Sequence, residues 1–149
     1  MINKDLSYEK TKDFLFSYHT LKEGMKEYYI KQFGSFQEEV ELKYFQEEFL
    51  KFDFYILFWK KKKVGILSFL NQESIFLNEL ILLPEFQGMG IGTILLKYFM
   101  NLATSSKKTL ELEVLKVNKK ALKLYQSLGF IKKGENETHS FLIFNKNLL

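Results

Sequence analysis

Glycine occupies three alternate positions in Gln87-Gly88-Met89-Gly90-Ile91-Gly92, directly after an apolar run that ends at Leu82-Leu83-Pro84. That density suits neither a strand nor a helix interior. The segment therefore reads as a turn between a strand and the helix-patterned stretch that follows. A turn of this kind leaves main-chain N–H groups bare at a helix N-terminus, where the helix dipole also favours an anion such as a phosphate or diphosphate. Missing Cβ atoms would let that anion approach closely. A turn that only reverses the chain would use the same residues. Thr93 stands where the dinucleotide fingerprint G-x-G-x-x-G requires its last glycine, and no Gly-Lys-Ser/Thr ending follows, which excludes the nucleotide-triphosphate loop.

The rest of the chain alternates helical and strand periods. Residues 13–33 carry Phe14, Tyr18 and Leu21 at helical spacing, with Gly24 as a possible division into two helices. Ser35 and Glu38 resemble a capping box for a second helix running to about Leu50. Residues 52–59 and 64–70, rich in aromatic and branched side chains, flank Lys60-Lys61-Lys62-Lys63 and read as a hairpin with a solvated lysine turn. Residues 75–83 are apolar on both faces, which predicts a central strand. Residues 91–103 form a mostly buried helix whose polar stripe is Thr93, Lys97 and Asn101. Leu110, Leu112 and Val114 alternate with Thr109, Glu111 and Glu113 in a further strand. Asn118 then caps a helix carrying Ala121, Leu122, Leu124, Tyr125 and Leu128, which Gly129 ends. Residues 130–133 and 140–144 close the chain as a hairpin. The order predicts a mixed α/β sheet.

At 149 residues, with 46% hydrophobic and 27% charged residues, the chain reads as one globular domain, residues 1–149. Its 16 phenylalanines predict a Phe-rich core with some aromatics left to line a pocket. The absence of cysteine excludes disulfides and thiolate chemistry, and two distant histidines give no basis for a metal site. All 22 basic residues are lysine, for a net charge of +4. Without arginine, the residue suited to bidentate base and phosphate contacts, nucleic acid is not an expected partner. No apolar run approaches the ~18 residues that would span a bilayer. The opening residues lack the apolar core of a secretory signal, so the expected location is cytoplasmic.

Gln87-x-x-Gly90-x-Gly92 resembles the pyrophosphate-binding motif of the GCN5-related N-acetyltransferase (GNAT) family. The stretch Asn118-Lys119-Lys120-Ala121-Leu122-Lys123-Leu124-Tyr125-Gln126-Ser127-Leu128-Gly129-Phe130 is similar to that family's second signature, N-x-x-A-x-x-L-Y-x-x-L-G-F. Leu80 to Phe86 resembles the end of its fourth strand. The likeness runs from about Val64 to Phe130 and is weaker over the N-terminal helices.

The resemblance implies a mostly antiparallel sheet flanked by helices and splayed between its fourth and fifth strands. It further implies acetyl-CoA as acyl-donor cosubstrate, lying in that opening. Ile81, Leu82 and Leu83 would then lie beside the pantetheine and thioester. The amides of Gly88, Met89, Gly90, Ile91, Gly92 and Thr93 would surround the pyrophosphate. Gln87 would add hydrogen bonds where the family often has arginine, and Asn118 would bond the pantetheine arm as well as cap its helix. Tyr125 would protonate the departing thiolate, although a core aromatic would fit the same position.

Attack requires a neutral amine, so a base or water relay must take its proton. Glu79 is one candidate, on a strand face shared with Leu77, Ile81 and Leu83, where burial would raise its pKa. Glu113 is the other, and plain strand alternation also accounts for it. The implied activity is direct transfer of acetyl to a small-molecule or peptide amine by a monomer or homodimer. The alternative is a sensor or assembly subunit that binds acetyl-CoA without turning it over. Tyr28, Tyr29, Phe33 and Phe36 either line the acceptor site or fill the core. His139 either faces the acceptor or sits in a surface turn.

Overall fold

The computed structural model describes residues 2–148, so the first and last residues of the expected domain lie outside the described residues. Seven strands form one sheet in the order β1-β2-β3-β4-β5-β7-β6. They are β1 Leu6–Lys10, β2 Phe54–Trp59, β3 Lys62–Asn71, β4 Ile75–Leu82, β5 Leu110–Leu115, β6 Ile131–Glu135 and β7 His139–Phe144. The helices are α1 Phe14–Phe33, α2 Glu38–Lys51, α3 Ile91–Ser105 and α4 Lys119–Ser127. All neighbouring strands pair antiparallel except β4 and β5. The mixed, mostly antiparallel fold read from the sequence is the one observed, with β4 at its centre. No helix among the described residues is long and apolar enough to cross a membrane.

Each face of the sheet carries its own core. Leu95, Leu96 and Phe99 of α3 pack with Leu57, Leu67, Ile75, Leu77 and Leu112 on one side. Leu21 of α1 and Phe45 of α2 pack with Phe54, Ile66 and Ile81 on the other. Strand alternation alone would send Leu77 and Ile81 to the same face. They part because Asn78 is an extra residue: Leu77 pairs with Phe69 and Glu79 with Ser68, leaving Asn78 opposite nothing. This bulge shifts the alternation by one. Glu79 therefore shares its face with Ile81 and not with Leu77, which corrects the sequence reading.

Four other expectations need correction. Strand β1 was not anticipated; only Leu6 and Tyr8 mark its inner face, in a stretch otherwise polar. Gly24 does not divide α1, which runs unbroken from the Asp13 cap to Gly34, whose φ is 86°. A Cβ on Gly24 would lie 2.4 Å from the Ile81 side chain and 3.1 Å from the Leu82 carbonyl oxygen, so glycine lets α1 cross β4 closely. The Ser35 capping box does not form: Gln37 is the cap, and Glu38 pairs instead with Lys22 at 2.7 Å. Of the four lysines, only Lys60 (φ 49°) and Lys61 (φ 68°) make the turn, and Lys62 and Lys63 begin β3. Two adjacent left-handed residues give the primed turn that two-residue hairpins favour.

Gly24→Ala tests this crossing. The added methyl should destabilise the protein by about 1–3 kcal/mol through overpacking, despite alanine's better helix propensity. Chemical denaturation would detect it.

Candidate active site

The sheet opens beside the bulge. Parallel pairing of β4 with β5 covers only Ile75, Leu77 and the residue between them, against Leu110 to Leu112. Beyond that point β4 stays clamped to β3 up to Leu82, and β5 to β7 up to Leu115. Leu83 N–H donates to the Val64 carbonyl at 2.9 Å. Antiparallel alternation then turns the main-chain groups of Leu80 and Leu82 away from β3, toward the opening. The Leu82 carbonyl there accepts from Gln87 Nε2 at 2.9 Å.

A cavity of about 300 Å³ fills the opening on the side of α3 and α4. Gly88, Gly90 and Gly92 line it, with Leu80, Ile81, Leu82, Gln87 and Thr93; α1 adds Gly24, Met25 and Tyr28, and α4 adds Lys120 and Tyr125. Gly88 and Gly90 have φ of 78° and 84°, the left-handed region that favours glycine. Gly92 has no such backbone demand, yet a Cβ there would meet nothing within 4 Å. Its missing side chain leaves room in the cavity wall and relieves no clash within the protein. Gly90 ends the turn as the α3 N-cap without a side-chain cap bond, and the first helical bond runs from Ile94 N–H to Gly90 O at 3.1 Å. The amides of Ile91, Gly92 and Thr93 in that first turn therefore have no partner within the helix. These bare amides at a helix N-terminus, in a cavity that Lys120 also lines, make a cradle suited to an anionic group.

A second cavity, about 110 Å³, continues past Tyr125 on the side of α1 and the β5–β7 pair. Its walls include Tyr29, Asn78, Glu79, Glu113, Asn118, Tyr125 and His139. Met25, Leu80, Ile81, Asn118 and Tyr125 line both cavities, so the two meet around the Tyr125 ring. Asn118 Oδ1 caps α4 by accepting from Ala121 N–H at 3.2 Å, and the Tyr125 ring packs edge-on against Phe130 at 5.6 Å. Burial, aided by the nearby Glu79 carboxyl, pushes the Tyr125 hydroxyl up to about 12. The phenol therefore keeps its proton throughout the physiological range.

Glu79 is held well above the usual carboxylate range, first by burial and then by the charge of Glu48. Its Oε2 is shielded from solvent and has no hydrogen-bond partner among the described residues. Glu48, on α2, is itself pushed up to about 7 by burial, although Asn78 Nδ2 donates to its Oε1 at 2.8 Å. Glu111, the neighbour of Glu113 in the pattern, is instead tied to Lys133 on the outer hairpin.

The structure thus gathers Glu79, Glu113, Asn118, Tyr125, Ile81, Leu82, Gln87 and the three glycines around one opening. Leu83 and Met89 do not line either cavity: Leu83 is buried beyond the end of β4, and Met89 is exposed. Gln87 spends its amide on the Leu82 carbonyl. Tyr28 and Tyr29 line the two cavities, while Phe33 and Phe36 pack on the outer side of Tyr29. Sequence reasoning missed Glu48, Asn78, Met25, Gly24 and Lys120. An unbroken helix through Gly24 was the one available signal, since a helical glycine facing a strand marks a close crossing.

Protonated carboxyls give a stability signature. Folding raises the Glu48 and Glu79 pKa values above those of the unfolded chain, so the native state binds more protons and stability falls as pH rises above about 4.5, the Glu48 contribution being lost by about 7. The lowered carboxylates Glu111 and Glu135 act below that window, losing their contribution as the pH falls. Thermal unfolding should show Tm declining between pH 5 and 7, and Glu48→Gln should flatten the decline.

The Acetyltransferase (GNAT) family matches residues 19–130. No curated protein matches the chain. Several solved structures share its fold. An acetyltransferase from Salmonella typhimurium that modifies the N-terminal serine of ribosomal protein L7/L12 is 15% identical, with a TM-score of 0.67 over 96% of this chain and 95% of its own. A GNAT family acetyltransferase from Elizabethkingia anophelis with acetyl-CoA bound is 16% identical, with a TM-score of 0.66 over 96% and 99%. A mutant form of the spermidine/spermine N-acetyltransferase SpeG from Vibrio cholerae is 18% identical, with a TM-score of 0.64 over 98% and 96%. With the family spanning both glycine turn and Tyr125 helix, the chain belongs to the GNAT acetyltransferases, acyl-CoA-dependent N-acyltransferases whose donor is acetyl-CoA.

Proposed function

We propose that this protein transfers acetyl from acetyl-CoA to a primary amine by direct attack in a ternary complex, working as a single domain in the cytoplasm. The observation that carries this reading is the meeting of two cavities at Tyr125, one lined by glycines and the other by carboxyls. The first suits the donor: amides of residues 88 to 93 face its diphosphate, and the open edge of Leu80 and Leu82 offers main-chain partners to its pantetheine arm. The second suits the acceptor. Neighbouring folds whose names specify a protein N-terminal serine or spermidine and spermine as substrates are consistent with an amine acceptor.

Glu79 acts as the base that takes a proton from the amine: it lines the second cavity beside Tyr125, and burial followed by the charge of Glu48 raises its carboxyl well above the usual carboxylate range, which strengthens it as a proton acceptor. Glu113, on the opposite wall, is the alternative acceptor of that proton. The Leu82 N–H, turned toward the opening, supplies a donor for charge developing on the carbonyl oxygen. Tyr125, protonated at working pH, gives its proton to the leaving thiolate. This chain offers no cysteine for an acyl-enzyme, in keeping with direct transfer.

Acetyl-CoA consumption across an amine library, beside calorimetric CoA binding, tests the reading: binding without turnover on any amine would make the protein a sensor. Tyr125→Phe should lower kcat about 100-fold with little change in acetyl-CoA affinity, and an unchanged kcat across pH would remove Tyr125 from the chemistry. Gly92→Ala should fold at least as stably as the native chain, because its φ is ordinary and its Cβ meets no atom. It should still weaken CoA binding about tenfold or more by occupying the cradle.

A further inference from the structure

The acceptor cavity has an electrostatic character that the chain as a whole does not. The protein has 22 lysines and a net charge of +4, yet no lysine lines this cavity. The ion pairs among the described residues, such as Lys22–Glu38 and Lys116–Glu135, engage other, more exposed carboxylates. Glu79 on the cavity wall and Glu48 behind it have no cationic partner there. Glu48 reaches the bulge through Asn78, which donates to Glu48 at 2.8 Å and to Ser68 Oγ at 3.4 Å, and Ser68 in turn donates to the Asp53 carbonyl at 2.8 Å. A buried carboxyl group with an unmatched oxygen is costly unless a cation or donor arrives to complete it.

We propose that this cavity takes the acceptor as an alkylammonium ion, attracted by the paired carboxyl groups of Glu79 and Glu48, with Glu48 as the positioning residue of the pair. The inference rests on the second cavity being the acceptor site. Glu79 is the group the acceptor meets, whereas Glu48 acts through it, adding charge and fixing the Asn78 bulge that aims Glu79. The remaining titratable groups around the cavity are Tyr29 from α1, Glu113 from β5, Tyr125 from α4 and His139 from β7. Both tyrosines are pushed up by burial and by Glu79, so neither supplies a competing negative charge near neutral pH.

The arriving ammonium provides the opposite charge that lets Glu79 ionise, its own proton leaving to solvent. Its proton then passes to the Glu79 carboxylate and frees the nitrogen lone pair. The C–N bond forms and the thioester C–S bond breaks. Tyr125 gives its proton to the thiolate, and the second proton lost by the nitrogen restores the Tyr125 hydroxyl. One amide and one thiol result, Glu79 is protonated as at the start, and the net proton is the one released when the ammonium bound. A neutral aromatic amine brings no charge to this wall, and in an amine that also bears a carboxylate the repulsion of that carboxylate by Glu79 and Glu113 offsets the attraction of its ammonium.

The test is calorimetric titration of pentylamine, 1-pentanol and 5-aminopentanoate at pH 7, with and without saturating CoA. These probes share a chain and differ in charge. Pentylamine should bind about tenfold or more tightly than either other probe. Glu48→Gln keeps an oxygen for Asn78 and removes the charge. It should weaken pentylamine about tenfold, leave CoA affinity unchanged, and move the acid limb of kcat/KM for pentylamine to lower pH. Equal binding of 1-pentanol, or a Glu48→Gln variant with unaltered pentylamine affinity and pH profile, overturns the inference. Pentylamine binding without CoA binding would instead sink the transferase reading and leave the cation site standing.

Discussion

The separation of β4 from β5 governs every later feature of this molecule. The two central strands share only a short parallel register, from Ile75 to Leu77 against Leu110 to Leu112, before each is held by its outer neighbour alone. Because β3 and β7 grip them in longer antiparallel ladders, the split is part of the stable fold. Its consequence is an inner strand edge with open main-chain groups at Leu80 and Leu82. Leaving such groups dry and unpaired costs about 1–3 kcal/mol each. The chain meets part of that cost by turning Gln87 onto the Leu82 carbonyl. The rest is available to a ligand that lies along the strand.

Asn78 links that opening to its chemistry. As the extra residue of the bulge it changes which face the following residues occupy, so Glu79 leaves the Leu77 core and enters the side covered by α1 and α2. The same side chain reaches Glu48, which makes α2 a support for the site and not only a cover for the sheet. The two sides of Tyr125 then differ in kind. One presents bare amides, a helix N-terminus and Lys120 to an anion; the other is lined by carboxyls and by no lysine among the described residues. In the proposed reaction, a phosphate-bearing donor and a cationic acceptor are sorted to opposite sides by charge alone.

Features written in consecutive residues were legible beforehand. The glycine turn, the Asn118 cap, the apolar stripe of α4 and the alternation of β5 depend on local spacing, and each stands where the pattern put it. Features that depend on a partner far along the chain were not. Gly24 looked like a helix break because nothing nearby revealed Ile81 pressing against it. The bulge at Asn78 depends on the β3 register, which no local period encodes, and misplacing it put Glu79 beside Leu77. Glu48 reads as one more charge in an acidic helix until α2 is laid against the bulge. Strand β1 offered too few apolar positions to rise above its polar surroundings.

In the proposed reaction, main-chain amides of the glycine turn hold a diphosphate at the split sheet. Calorimetric titration of the unmodified protein with acetyl-CoA and with S-acetylpantetheine, which keeps the thioester arm and lacks the diphosphate, measures that contribution directly. Acetyl-CoA should bind at a single site, with S-acetylpantetheine about 100-fold weaker or more. Equal affinity for the two, or no heat from either, would contradict it.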